Sequence, residues 1–397
     1  MPTLHFGRQQ IDVTLAEGSL VGVRRRPPTP ALADPAAAVR DALQAPLGFP
    51  PLRRALTPDD HVTIVIDEHL PRLGKLLTPL LEHIASVGVA PEAISLLTAA
   101  PAADQSWLDD LPEAFEEVRV EAHDPRDRKR LAYLATTRHG RRIYLNRSAV
   151  DADQIVILCR PDADPLLRRG GAGMLFPGLS DEATREELAG VRASPQALRH
   201  EAAEVAWLLG APFLVQVIEG AGDDIANIVA GPVDTSEEAL RLYEARWRRT
   251  AAELVDTVVA TLSGDPRRHE FGDLALALAH AAEVAQPEGR IILLSEAVPR
   301  LGPGAEVLRQ SDDPGRALEL LGQTQAPDRA AAIQWVEAAR RAHVYLLSGL
   351  PEATAEELFV TPIEHASQVQ RLVGGAGSYL LLEDADRTLP ILETTEE

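Results

Sequence analysis

Two side chains with acid–base chemistry stand at the end of the first long apolar run of the sequence. Asp67 closes the run 61–67, and His69 follows two residues later. Ligands of α/β proteins gather beyond the carboxyl ends of strands, and an imidazole exchanges protons near neutral pH. Asp67 and His69 are therefore the candidate catalytic residues. The alternative for Asp67 is a structural role as N-cap of the next helix, which aspartate forms well.

A glycine-rich loop after the third apolar run is the second candidate site. Arg168 and Arg169 directly precede Gly170 and Gly171, which begin the sequence Gly-Gly-Ala-Gly. A flexible backbone with two guanidinium groups can cradle a phosphate or a carboxylate. The competing interpretation is an ordinary turn, because glycine is common in turns. The sequence has no Walker phosphate loop, no dinucleotide fingerprint, no His-Glu-x-x-His and no paired cysteines.

The elements that must position these residues alternate between apolar runs and helical patterns. The β-branched runs, which have the length of buried strands, are 61–67, 94–100, 154–159, 213–219, 256–263, 290–295, 343–348 and 378–383. The helical patterns between and before them are 34–43, 73–87, 195–209, 236–254, 274–285 and 326–342. Such alternation predicts α/β layers with mainly parallel sheets.

The length of 397 residues favours two domains rather than one. We place the boundary after the long helical pattern 236–254. An N-terminal α/β domain would then span residues 1–255 and a C-terminal α/β domain residues 256–397, with a ligand cleft between the two. The acidic end of the chain, 386–397, is expected to be a frayed tail.

Composition excludes several partner classes. The formal net charge is -21, which opposes binding to nucleic-acid backbones and to anionic membranes. The single cysteine, Cys159, permits no internal disulfide and no thiolate zinc cluster. The first residues lack the layout of a signal peptide, and no apolar stretch approaches the roughly 20 residues needed to span a bilayer. We expect a cytoplasmic protein.

The order of these patterns resembles that of the nickel-pincer lactate racemase family over roughly residues 7–382. The segment 42–52, ALQAPLGFPPL, fits the family's Ala-Leu-x-x-Pro-Ile/Leu-Gly-x-Pro-x-Leu. Asp67 and Lys75 fall in register with a strand end and a helix start of the family. The family's arginine in that turn aligns with Leu70, and Arg72, two residues later, offers a guanidinium from a different backbone position. The resemblance implies the lactate racemase fold.

The resemblance also implies a chemistry whose reactive residues are replaced here. In the family a nickel-pincer nucleotide accepts a hydride from a hydroxy acid, two histidines exchange the hydroxyl proton, a lysine anchors the cofactor and a further histidine binds nickel. The aligned residues of this chain are Pro101 and Ala163 for the two histidines, Gly173 for the lysine and Ala189 for the nickel ligand. Thr98 and His200 match positions near the family's site, although a cap or a buried hydrogen-bond partner is the alternative for His200.

Three functions therefore stay open. The first is a divergent lactate racemase-like protein that binds a small anionic or nucleotide-like ligand, with altered or lost catalysis. The second is an active 2-hydroxy acid racemase or epimerase that holds the pincer nucleotide without covalent attachment. The third is an interaction protein without a ligand. The expected binding residues are Thr98, Arg72, Lys75, Arg168, Arg169, Gly170, Gly171 and His200, with no metal ligand assigned and the oligomeric state open.

Overall fold

The computed structural model describes residues 1–24, 30–99, 105–164, 170–190 and 194–393. Its strands are β1 (Thr3–Phe6), β2 (Gln9–Asp12), β3 (Val23–Arg24), β4 (Val62–Ile66), β5 (Ile94–Thr98), β6 (Arg119–Ala122), β7 (Leu131–Thr136), β8 (Arg142–Asn146), β9 (Gln154–Cys159), β10 (Phe213–Glu219), β11 (Ile225–Pro232), β12 (Arg248–Ala251), β13 (Val255–Thr261), β14 (Ala285–Leu294), β15 (His343–Leu347), β16 (Thr361–Pro362), β17 (Tyr379–Leu382) and β18 (Leu389–Leu392). Its α-helices are α1 (Pro35–Gln44), α2 (Leu73–Ala85), α3 (Arg147–Val150), α4 (Glu182–Gly190), α5 (Pro195–Leu208), α6 (Ser236–Trp247), α7 (Phe271–Val284), α8 (Pro303–Arg309), α9 (Pro314–Gln323), α10 (Arg329–Arg341), α11 (Glu352–Glu357) and α12 (Ala366–Leu372).

The chain divides into two compact units. The first unit comprises Pro30–Gly220 and Asp224–Tyr243, and the second comprises Met1–Thr29, Ala221–Asp223 and Glu244–Glu397. This division differs from a single boundary after residue 255, because the N-terminal segment belongs to the second unit. The backbone N–H of Gly7 donates to the carbonyl of Leu262 at 2.7 Å, and that of Val21 donates to the carbonyl of Tyr379 at 2.7 Å.

The first unit is built on a six-stranded sheet in the order β11-β10-β9-β4-β5-β6, in which every neighbouring pair except β10–β11 is parallel. Every residue of the central strand β4, VTIVI, is buried. Ile64 and Ile66 pack with the apolar residues of α1 and α2 on one face of the sheet. Val65 packs on the other face with residues of α5 and of the loop 172–179. Helical layers on both faces explain why the strands are near-continuous apolar runs.

Chain order reverses in the middle of this sheet. From β4 the chain proceeds to β5 and β6 on one side, and then returns to β9 and β10 on the other. The register pairs Ile66 of β4 with Thr98 of β5 and with Leu158 of β9, so the three strands end close together. In open α/β sheets such a switch point forms the crevice that receives ligands. The carboxyl ends of β4 and β9 are therefore where a site is expected.

The second unit contains a parallel five-stranded sheet in the order β16-β15-β14-β13-β17. The predicted fold class, α/β with mainly parallel sheets, is confirmed in both units, and each of the eight predicted runs contains a strand. Among the described residues, no helix is long and apolar enough to cross a membrane.

Two sequence-based expectations are wrong. The helical pattern 236–254 ends as a helix at Trp247, and β12 follows, because residues 248–251 hydrogen-bond as a strand to β18 and β3. The end of the chain is not frayed as far as the structure describes it, to residue 393. Asp386 and Arg387 are buried, the Arg387 guanidinium donates to the Asp386 carboxylate at 3.1 Å, and β18 pairs with β12.

A substitution pair tests how firmly the N-terminal segment is held in the second unit. Gly7 has a φ of +52° and an added Cβ would overlap the Glu296 carboxylate, which accepts hydrogen bonds from the Arg8 N–H and the Gln9 amide. Gly7→Ala should therefore lower the free energy of unfolding by about 2 kcal/mol more than Gly18→Ala. Gly18 is the matched control, because it has a φ of +75° with open space around its Cβ position. Urea denaturation followed by tryptophan fluorescence measures both, and equal losses would contradict this account.

Candidate active site at the carboxyl edge of the six-stranded sheet

Asp67 and Arg160 form an ion pair across the switch point. Asp67 follows β4 directly, and Arg160 follows the adjacent strand β9. The Arg160 Nε donates to Asp67 Oδ2 at 2.7 Å and its Nη2 donates to Oδ1 at 3.3 Å. The Asp67 side chain is 5% exposed and that of Arg160 is 19% exposed. Glu219, at the end of β10, is also buried, and its carboxylate lies 4.0 Å from the same Nε.

The Asp67 carboxylate also organises its own turn. Oδ1 accepts the backbone N–H of His69 at 3.0 Å, and the Asp67 backbone N–H donates to the Leu158 carbonyl at 2.9 Å. The His69 ring is about three-quarters buried, and its Nε2 lies 3.9 Å from the Glu68 carboxylate. The N-cap alternative for Asp67 is wrong, because the cap position of α2 is occupied by Arg72 in a left-handed conformation.

Thr98 lies in the same edge, at the end of β5. It is fully buried, and its carbonyl accepts the backbone N–H of His123 at 2.9 Å. The His123 ring is engaged on both sides: Nε2 lies 2.9 Å from the Ser180 carbonyl, and Nδ1 lies 3.5 Å from the Asn146 amide. Burial lowers the pKa of His123. Burial thus favours a neutral imidazole at this position, while the bond to the Ser180 carbonyl acts in the opposite direction.

The glycine loop is joined to the same strand end. Gly170 forms a parallel bridge with Arg160, and the Gly171 N–H donates to the Arg160 carbonyl at 3.0 Å. A Cβ on Gly170 would overlap the carbonyls of Arg160 and Pro161, and Gly171 has a φ of +52°. Glycine is required here by close backbone packing and by a left-handed conformation. Arg160 therefore brings Asp67 and Gly171 into one site.

Asp162 is a buried carboxyl group in the turn after β9. Its Oδ2 lies 3.4 Å from the Arg199 Nε of α5, and Arg199 Nη2 donates to the Asp162 carbonyl at 2.8 Å. Its Oδ1 is buried without a hydrogen-bond partner. Burial raises the pKa of Asp162 to about 6, while Arg199 acts in the opposite direction. A carboxyl group that titrates near neutral pH beside a ligand crevice is a functional candidate.

Of the other expected binding residues, Arg72 lies at the same edge of the sheet, Lys75 and His200 are exposed on helices, and two arginines lie outside the described residues. Arg72 is ion-paired with Asp224 at 3.1 Å, and Lys75 is exposed on α2. His200 is exposed in the middle of α5, whose N-cap is Ser194, so it is neither a cap nor a buried partner. Arg168 and Arg169 lie outside the described residues.

The described part of the edge carries more carboxylates than guanidinium groups. Its acidic residues are Asp67, Glu68, Asp162, Glu219 and Asp224, and its guanidinium groups belong to Arg72, Arg160 and Arg199. Sequence reasoning missed Arg160, Asp162 and Glu219. The signal was available, because Glu219 ends a predicted strand, Arg160 directly follows one, and Asp162 lies in the turn after that strand. The end of a strand is the position that identified Asp67.

The Cys159 thiol at this edge is held in its protonated form. Cys159 is buried at the end of β9, and burial raises the pKa of its thiol. Within the described ranges, no group of three or more histidine, cysteine, aspartate or glutamate side chains is arranged to hold a metal ion.

The Asp162 carboxyl should impose a pH dependence on stability. Its folded pKa of about 6 lies above its ordinary value of 3.8, so the fold favours the protonated form. Stability should therefore be lost as the pH rises from about 4 through 6. Asp162→Asn, which cannot ionise, should raise the free energy of unfolding at pH 8 by at most about 3 kcal/mol, at roughly 1.4 kcal/mol per pH unit. Denaturation of wild type and variant from pH 4 to 8 should give curves that converge at pH 4. The exposed Asp59→Asn is the control, and a gain independent of pH would contradict this assignment.

Comparison with known proteins agrees with this architecture. Residues 6–186 match the family model of the lactate racemase N-terminal domain. A search of curated proteins finds no match.

Solved structures extend the similarity to the whole chain. The lactate racemase apoprotein from Thermoanaerobacterium thermosaccharolyticum superimposes with a TM-score of 0.80 at 15% identity, covering 99% of both chains. A Thermotoga maritima protein from a structural genomics consortium superimposes with a TM-score of 0.67 at 12% identity, covering 91% of this chain and 99% of that one. Residues 6–186 thus match the lactate racemase N-terminal domain, and the whole chain shares the fold of the lactate racemase apoprotein.

Proposed function

We propose that this protein binds a small carboxylate- or phosphate-bearing ligand, including nucleotides, at the carboxyl edge of the six-stranded sheet, and that its catalysis is altered or lost relative to lactate racemase. The observation that carries the proposal is the buried pair of Asp67 and Arg160 at the switch point. Charged groups held by hydrogen bonds in that crevice are the usual basis of ligand recognition in open α/β sheets.

Arg160, Arg168 and Arg169 are the cations proposed to meet an anionic ligand at this edge. Arg160 carries a delocalised, permanently charged guanidinium suited to carboxylates and phosphates. The Arg160 carbonyl also accepts the N–H of Gly171 in the glycine loop. Arg168 and Arg169, which precede this loop in the sequence, are proposed to supply further positive charge. The loop backbone at Gly170 and Gly171 permits a close approach to a ligand, because neither residue carries a side chain.

The residues present do not fit a covalently anchored nickel-pincer nucleotide, the cofactor that the family resemblance suggests. Gly173, aligned with the anchoring lysine, has no side chain, and its N–H and carbonyl bond to Gly170 and Gly178 in the loop. Ala163, aligned with a catalytic histidine, offers only its backbone, and its carbonyl accepts from Arg199. Imidazole suits nickel, and Ala189, aligned with the family's nickel-binding histidine, has none.

The acid–base groups of the edge also argue against racemisation. Exchange of a proton on both faces of a planar keto intermediate needs two groups that flank it. Asp67 and His69 belong to one turn, whose geometry depends on the bond between the Asp67 carboxylate and the His69 N–H. Two groups on a single turn can reach one face of the intermediate more easily than both faces.

We therefore expect no measurable interconversion of lactate enantiomers. The assay incubates either enantiomer with protein produced alongside the cofactor-synthesis proteins, and follows the other enantiomer by chiral chromatography. Intact mass should equal that of the unmodified chain. Turnover of either enantiomer, or an added mass of a pincer nucleotide, would instead support an active racemase.

Ligand binding is tested separately by calorimetry with hydroxy acids and adenine nucleotides. Arg160→Gln should weaken binding of the best ligand by at least about tenfold, because a charge-assisted bond and the positioning of Asp67 are both lost. Arg126→Gln is the control, since Arg126 is exposed and pairs with Glu182 outside the site. The double substitution of Arg168 and Arg169 by alanine measures the contribution of the loop. If wild type binds none of the ligands, the interaction-protein function takes precedence.

A further inference from the structure

A cavity of about 310 Å³ lies in the second unit, beyond the carboxyl ends of β15 and β16. Its lining comes from the end of β15 with the turn that follows, from α11, and from residues 362–365 at the end of β16. All of these segments belong to one compact unit. The volume is at the lower limit of small-molecule sites, and the carboxyl ends of parallel strands are where such sites form.

The floor of the cavity is apolar. Leu346, Ala355 and Ile363 line it and are almost fully buried, and the half-buried Leu350 and Pro362 continue the wall. The Leu346 carbonyl already accepts the Ile363 N–H at 2.8 Å, and proline has no N–H to offer. The floor therefore stabilises a ligand mainly by covering apolar surface.

The rim of the cavity is rich in acceptors. Glu352 opens α11 and Glu364 follows β16, and both are exposed. Elsewhere on α11, Glu357 is ion-paired with Arg309 at 2.7 Å, whereas no such partner of Glu352 or Glu364 is found among the described residues. An ionised carboxylate only accepts hydrogen bonds. Two of them at one opening, in a chain of net charge -21, attract a positively charged donor.

The walls of the cavity are fixed by hydrogen bonds before any ligand arrives. The Gln368 side-chain oxygen accepts the N–H of Glu364 at 3.0 Å and that of His365 at 3.4 Å. The His365 ring accepts the Gln368 N–H in return, which completes a capping box at the start of α12. On the opposite wall the Ser348 hydroxyl accepts the Leu350 N–H at 3.2 Å. A preformed pocket avoids the cost of ordering these loops on binding.

We propose that this cavity binds a small organic cation, an ammonium or a guanidinium group on a short aliphatic body. The cationic group lies at the rim between Glu352 and Glu364, and the aliphatic body covers Leu346, Ala355 and Ile363. A bare metal ion would satisfy the carboxylates but leave the apolar floor in contact with water. The combination of a charged rim with an apolar floor therefore selects a ligand that has both parts.

Ligand-observed NMR with hexylamine, 1-hexanol and hexanoate tests this proposal, because the three share one chain and differ in charge. Hexylamine should bind about tenfold more tightly than hexanol, and hexanoate should not bind. Saturation transferred from the protein should be strongest at the methyl end of hexylamine, which reaches the floor. Glu352→Gln and Glu364→Gln should each weaken hexylamine about threefold and leave hexanol unchanged. Glu356→Gln is the matched control, since Glu356 is exposed on the same helix and does not line the cavity.

A second variant tests the floor. Ala355→Leu fills the cavity and should weaken both hexylamine and hexanol. If it does not fold, the exposed glutamate variants still decide the matter. Equal affinity for hexylamine and hexanol, or equal losses in Glu352→Gln and Glu356→Gln, would overturn the proposal. Displacement of hexylamine by millimolar magnesium would overturn it in favour of a metal site. These outcomes do not depend on the ligand site of the first unit, which the hydroxy acid and nucleotide titrations test.

Discussion

The bidentate pair of Asp67 with Arg160 is the interaction on which the proposed site depends. It joins the ends of β4 and β9, the strands between which chain order reverses. Both side chains are largely buried, so removing one partner would leave a desolvated charge, at a cost of about 3–5 kcal/mol. The backbone of Arg160 also bonds to the glycine loop. One residue therefore determines where the Asp67 turn and the loop lie with respect to each other.

Much of the scaffold follows from the sequence because burial on both faces leaves a strong pattern. The eight apolar runs became strands since parallel strands between two helical layers have no polar face. Weakly patterned elements were missed. The edge strand β11 contains glycine and proline, and β18 is four residues long and contains Pro390. Their strand conformation depends on partners, β10 and β12, that no local pattern identifies.

The site was predictable only where a residue's position along its strand decides its role. Asp67 and Thr98 lie at the edge because parallel strands end together. Arg160 and Glu219 lie at the edge for the same reason, because each stands at the end of a parallel strand. His200 illustrates the opposite case, because its placement depends on the rotation of α5. In that helix Glu201 pairs with Arg141, and His200 is left exposed.

The strand end that carries the Arg160 charge also restricts the backbone of the glycine loop. Gly170 has no space for a side chain because the carbonyls of Arg160 and Pro161 lie against it. The strand end that supplies the guanidinium thus also demands glycine in the loop. Among the residues of this edge that the structure describes, carboxylates outnumber guanidinium groups, so these groups alone would give a modest affinity for an anion.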